Sequence, residues 1–255
     1  MLDAALATWP EVKDFVREGR IGLLPVGAQE QHGPHLPLAT DTVMATGFAR
    51  RLAEALDALL LPALPYGDAW NNEGFPGTLS LSPETVQRTV EDLARGVRRI
   101  GLGALIVVNG HFGNREPIAL AARELWRESG FPVLCLDYPG LESLADEICA
   151  SAPAAPTFYH ADEVETSVML ALAPEAVRME RAISEYPVFP PTFGAEPMQL
   201  SSFCQSGVFG NSRPATAEKG ERLLEGLTAA SVDVIRTFLA RHGLVRAKNS
   251  EEKPS

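Results

Sequence analysis

At 255 residues the chain has room for one large α/β domain or two small ones, and 45% hydrophobic with 22% charged residues is ordinary for a soluble globular protein. A formal net charge of −11 argues against nucleic-acid binding through a broad basic face, although a cluster of acids could hold a cation. No apolar run approaches the roughly 18 residues of a membrane helix. The N-terminus lacks the basic start of a secretory signal. The three cysteines, Cys135, Cys149 and Cys204, form no short pair, which disfavours a disulfide framework or zinc knuckle and suits a reducing cytoplasm.

Taken in order, residues 8–18 predict a first helix with Thr8 as N-cap and Pro10 in its first turn. Residues 21–26 are an apolar run that reads as a buried strand. The loop that follows carries Glu30, His32, His35 and, at its end, Asp41, and is broken by Gly33, Pro34 and Pro37, so it cannot be helical. Thr40 is placed to cap a helix reaching about residue 57, with Val43, Phe48, Leu52 and Leu56 at helical spacing. Asp41 then falls in the first turn, where free amide donors favour an anion. Residues 59–64 predict a second strand, and 66–80 a loop rich in Gly, Asn and Pro that contains Trp70. A helix over 82–99, a strand over 104–108, a helix over 115–129 and a strand over 132–136 follow. Residues 151–160 read as a loop ending in His160, and 161–173 as a helix. Residues 186–214 form a long irregular excursion of the kind used to bind substrates or other subunits. Residues 216–242 predict a long amphipathic helix, and 246–255 a polar, disordered tail.

Strand and helix alternate four times, which predicts an α/β fold: a mainly parallel sheet with helices on both faces. We expect residues 1–245 to form a single domain. Sites in such sheets lie beyond the carboxyl ends of the strands. The loop after residue 26 and the segment 109–114 both leave such ends and should share one edge.

In an extended chain, residues two apart face the same side, so Glu30 and His32 can converge on one point. A carboxylate and an imidazole there suit zinc or manganese; the alternative is a polar loop that satisfies its own backbone. His111 lies between Gly110 and Gly113, which would let the backbone approach a ligand closely, but a satisfied loop histidine fits equally well. Glu163 and Glu165 flank Val164 at a helix start, where one could face a site and the other water, or both could be solvated. His242, at a helix end before Gly243, reads as structural.

The run Gly27-Ala28-Gln29-Glu30-Gln31-His32-Gly33-Pro34-His35-Leu36-Pro37, with Thr40-Asp41, resembles the signature of the creatininase (creatinine amidohydrolase) family. Phe75-Pro76-Gly77-Thr78, Asn109-Gly110-His111, His160-Ala161-Asp162-Glu163-Val164-Glu165-Thr166-Ser167 and Gly207-Val208-Phe209-Gly210-Asn211 resemble its later motifs, and the match spans roughly residues 20–240. The resemblance implies a three-layer α/β fold, hydrolysis of a C–N amide bond, two divalent ions per subunit (zinc or manganese, with iron an alternative) and commonly a hexamer. By the same resemblance Glu30 and His111 bind one ion, His32 the other, and Asp41 bridges both. Creatininase completes the second ion with a Glu two residues after the counterpart of His111; here that position is Gly113, and Glu165 is the candidate replacement. His160 matches the histidine proposed for proton transfer, and His35 is expected to orient a ligand rather than to bind metal. Trp70 and Phe112 are expected to contact a small-molecule substrate. Creatinine itself is disfavoured, because the tryptophans that surround it in creatininase have no full counterpart here. Formamides of pyrimidine precursors and modified peptides, the substrates of other branches, stay open. The alternative reading is a catalytically inactive metal-binding oligomer.

Overall fold

The computed structural model describes residues 1–17 and 19–244; the polar tail expected over 246–255 lies outside the described residues. Five strands form one sheet in the order β1 (Leu2–Asp3), β3 (Leu59–Leu60), β2 (Ile21–Val26), β4 (Ala104–Asn109) and β5 (Val133–Leu136), every pair parallel. The helices are α1 (Trp9–Phe15), α2 (Thr40–Leu56), α3 (Pro83–Arg99), α4 (Arg115–Ser129), α5 (Leu141–Ile148), α6 (Glu163–Leu172) and α7 (Ala217–Arg241).

Every residue of β2 and β4 is buried, as expected for central strands covered on both faces. Neighbouring residues feed opposite layers. Leu23 and Ile106 pack with α2, α5, α6 and α7, whereas Leu24 and Leu105 pack with α3 and α4. The fold is thus the three-layer α/β arrangement expected from the alternation.

Several local expectations need correction. The strand expected over 59–64 contributes only Leu59–Leu60 to the ladder. Pro25 in β2 and Pro62 beyond β3 both lack an amide donor, so the ladder breaks after the Leu61 amide donates to the Leu23 carbonyl and resumes at the Val26–Leu64 bridge. Thr40 is the first helical residue of α2 rather than its cap; Ala39 holds the cap position, and the Thr40 hydroxyl donates to the Pro37 carbonyl. Strand β1 and helix α5 were not anticipated, the first because two residues carry no periodicity. The excursion from residue 186 was expected to be a long irregular segment that binds substrate or another subunit, and its packing leaves both roles open. It is anchored within the chain, where Phe189, Phe193, Leu200, Phe203 and Cys204 pack on Phe158 and Phe209. Its ends are tied by a small antiparallel pair, β6 (Ser184–Glu185) with β7 (Gly210–Asn211).

Candidate metal centre

The loops after β2, β3, β4 and β5 and the start of α6 meet at the carboxyl edge of the sheet, around a cavity of about 410 Å³. The loop after β2 is held extended: the Glu30 amide donates to the Leu38 carbonyl, and the Gln31 amide to Thr78 Oγ1. Glu30 and His32 therefore point to the same side while Gln31 points away. Asp41 arrives from the first turn of α2. That turn presses closely on the end of β4, where a Cβ on Gly110 would lie 2.4 Å from the Asp41 carbonyl oxygen. Only glycine allows this approach.

The side chains converge in a chain of short separations. His111 Nδ1 lies 2.6 Å from Glu30 Oε2 and 3.2 Å from Asp41 Oδ2. The other oxygen of Asp41 lies 3.0 Å from His32 Nε2, which is 3.6 Å from Glu165 Oε2. Asp41 thus stands between the two imidazoles, and Glu165 closes the far side. Ligand atoms of Glu30, His32 and Asp41 fall within 4.8 Å of one another, as do those of His32, His160 and Glu165.

The tautomers follow from the partners. A backbone carbonyl only accepts, so His32 Nδ1–H donates to the Glu30 carbonyl (3.1 Å) and His111 Nε2–H to the Asp68 carbonyl (2.8 Å). In each ring the remaining nitrogen faces carboxylates. Glu30 Oε2, His32 Nε2 and Asp41 Oδ2 are buried, yet none meets a hydrogen-bond partner of acceptable geometry. These are electron-pair donors aimed at shared points rather than at one another. Buried charge of this kind is stable only when paired with cations, and the donor set of carboxylates and neutral imidazoles fits divalent zinc or manganese.

Electrostatics express the same frustration. Burial pushes the Glu30 and Glu165 carboxyls up, Glu165 to about 8. Burial opposes charge on Asp41 too, but His32 and His111 hold it well below the usual carboxylate range. Burial also disfavours charge on the two imidazoles, and the surrounding carboxylates outweigh it, raising His111 well above its ordinary value and His32 to about 10. The cluster takes up protons where no other cation is bound.

The remaining expected residues are placed as follows. His160 is buried, its ring 4.5 Å from that of His32, and its Nε2 accepts from the Gln31 amide at 2.8 Å. Burial and the neighbouring charge of His32 hold it neutral. His35 Nε2 lies 2.8 Å from Thr166 Oγ1; any orienting effect reaches the cluster through α6, since Thr166 follows Glu165. Trp70 lines the cavity. Phe112 lines it too, 60% exposed. Glu163 points away, as helical spacing requires, but it is not solvated: it is buried, accepts from the amides of Ala150 and Ser151 and pairs with Lys219. Gly113 has no room for any side chain, since a Cβ there would lie 2.0 Å from the Asp68 carbonyl oxygen and 2.7 Å from His111 Nε2.

Other contributors were not singled out from the sequence. Asn72 donates to Glu30 Oε1. Asn109 bonds the carbonyl of His111 and Asp137 Oδ1. Only the second gave a readable signal, an Asn two residues before a candidate ligand.

A family model described as creatininase, creatinine amidohydrolase, matches residues 5–235. Creatinine amidohydrolase of Pseudomonas putida is 34% identical over 245 residues, covering 90% of this chain and 94% of its own. A mycofactocin precursor peptide peptidase of Mycolicibacterium smegmatis is 31% identical over 232 residues, covering 88% and 87%. A manganese form of creatininase superposes with a TM-score of 0.78 at 32% identity, over 92% of this chain and 98% of that one. Nearly the whole chain is thus matched, in sequence and in fold, and it belongs to the creatininase family.

Proposed function

We propose that the protein is a metal-dependent hydrolase of C–N amide bonds that acts on a cyclic amide, a formamide or a small peptide-like substrate. The observation that carries this reading is the set of buried, unpartnered donor atoms Glu30 Oε2, His32 Nε2 and Asp41 Oδ2, with His111 and Glu165 beside them. In this reading Glu30 and His111 would hold one divalent ion, His32 and Glu165 the second, and Asp41, which stands between the two imidazoles, would serve both. Bound there, two such ions supply an acidified water and a Lewis acid for the amide carbonyl.

The chain's own residues do the rest. The Asp68 carbonyl fixes the ring of His111, and the Glu30 carbonyl fixes that of His32, so both present the correct nitrogen without reorganisation. Asn72 holds Glu30 by its outer oxygen. His160 is held neutral by burial and by the charge of His32, with Nε2 turned to the Gln31 side-chain amide; by the family resemblance it would relay a proton to the leaving nitrogen, taking it first from the attacking water as that contact to Gln31 is released. Trp70 and the aromatic excursion wall off water from one side of the cavity. A homo-oligomer, six copies by the family resemblance, and a cytoplasmic location belong to this same proposal.

The test is metal analysis of the purified protein with a screen of cyclic amides, formamides and short peptides. Turnover that disappears on chelation and returns with zinc or manganese is expected. Turnover indifferent to chelation overturns the reading. Metal uptake with no turnover across the panel leaves a metal-binding relative without activity.

A further inference from the structure

We propose that Arg115 grips an anionic group of the substrate, a carboxylate or a phosphate, at the mouth of the cavity; this deepens the hydrolase reading and rests on it. Among the described residues, Arg115 is the one lysine or arginine in the cavity wall. It is the first residue of α4, four positions after His111, at the carboxyl end of β4.

Its guanidinium is held in place from two sides. Nε forms an ion pair with Asp137, 2.6 Å from Oδ2. The other Asp137 oxygen accepts from Asn109 Nδ2 at 2.7 Å, and the same Nδ2 lies 2.8 Å from the His111 carbonyl. Arg115 is thereby indexed to the backbone of a proposed metal ligand. The flat face of the guanidinium lies on the Phe112 ring, 4.3 Å from its centroid. That stack gives Phe112 a second role: it is a platform for the arginine as well as part of the cavity wall.

The outer edge of the fork is left over. Among the described residues neither Nη1 nor Nη2 meets an acceptor, and the side chain is about half exposed. An ion pair that served the fold alone would be expected to use the fork against both carboxylate oxygens. Here Asp137 spends one oxygen on Asn109, and neither Nη1 nor Nη2 makes a hydrogen bond among the described residues, so the two-pronged edge is left for a ligand. That edge matches the oxygen spacing of a carboxylate or phosphate, and its stacked geometry means little side-chain freedom is lost on binding. A cavity of about 410 Å³ suits a small substrate with its C–N bond at the metal cluster and its anion at the rim. Neutral creatinine offers no such group.

The experiment uses manganese-loaded full-length protein and two matched probe pairs. N-formylglycine and N-formylglycinamide test a carboxylate. N-formylethanolamine phosphate and N-formylethanolamine test a phosphate. Binding is measured by calorimetry and hydrolysis on the same samples. In at least one pair the charged member is expected to bind at least tenfold more tightly. The charged-to-neutral ratio should collapse to within about threefold in Arg115→Gln and survive in part in Arg115→Lys, with the change in KM rather than kcat. Equal binding of both members, absence of binding by either pair, or a preference that persists in Arg115→Gln overturns the proposal; persistence would mean that the metal ions alone attract the anion. A fall in metal content in Arg115→Gln also overturns it, by assigning Arg115 to support of His111. Selective anion binding without turnover of any compound would leave the anion site standing and sink the hydrolase reading instead.

Discussion

Gly113→Ala is the most direct probe of how the centre is built. The added Cβ would sit 2.0 Å from the Asp68 carbonyl oxygen, so that oxygen must retreat by more than 1 Å to restore an ordinary contact of about 3.4 Å. It cannot retreat freely, because the Asp68 amide is held by Asn114 Oδ1 at 2.9 Å. Retreat also strips His111 Nε2–H of its acceptor. Overpacking costs roughly 1–3 kcal/mol, and a buried donor left unmatched a further 1–3 kcal/mol. The sum, roughly 2–6 kcal/mol, corresponds to a melting temperature lower by about 4 °C or more in a chain of this size. His111 loses its orientation at the same time, so metal affinity should fall by about 10–100-fold. Thermal melts and metal titrations of the purified variant read both effects. Gly96→Ala, in the last turn of α3 with only Arg99 Nη2 nearby at 3.7 Å, is the control and should stabilise slightly. A Gly113→Ala protein melting within about 2 °C of the parent, with undiminished metal affinity, would refute the argument. It would mean that the Asp68 carbonyl neither blocks position 113 nor orients His111.

Glu165→Gln should leave the fold intact, remove about one metal equivalent per subunit and abolish hydrolysis; unchanged stoichiometry means that something else holds the second ion. Glu163→Gln should keep the metal but lose about 3 kcal/mol of stability, since it breaks a buried pair with Lys219; loss of metal here would move the ligand assignment to the wrong side of α6. In chelated protein, Glu165 (raised to about 8 from 4.5) and His32 (raised to about 10 from 6.5) bind more protons folded than unfolded. Each therefore stabilises the fold at low pH and withdraws up to about 1.4 kcal/mol per pH unit as pH climbs through its folded value. Metal-free stability should fall from pH 7 to 10 while the increment from added metal grows; melts showing the reverse trend count against the cluster as described. Light scattering at micromolar concentration should give an oligomer, in keeping with the exposed Leu6, Trp9 and Val188; a monomer mass would exclude one.

Much of this architecture was legible because its signals are local. The buried run of β2, the Pro10 and Thr8 start of α1 and the alternation of strands and helices each follow from side-chain period and backbone chemistry. The convergence of Glu30 with His32 was readable for the same reason, since an extended chain repeats every second residue. What stayed hidden is tertiary. Asp68 carries a backbone carbonyl that seats His111, and a carbonyl leaves no mark in the sequence. Glu163 and Glu165 look alike as letters, and only the packing of Lys219 and the loop at 150–151 tells them apart. The break in β3 was in principle visible in Pro25 and Pro62, but it required knowing that the two segments pair.

The aromatic anchorage of the excursion bears on how traffic reaches the site. Lifting residues 186–206 would pull Phe189, Phe193, Phe203 and Leu200 off Phe158 and Phe209. At roughly 1.5 kcal/mol or more for each side chain, opening costs about 6 kcal/mol, so about one molecule in 10⁴ would stand open at any moment. The segment is a fixed roof, not a door. Reactants must then pass through the rim beside Phe112, and the rate of exchange is set by what that rim admits. If the proposed chemistry holds, selection happens at the doorway, before any molecule meets the cluster around Asp41.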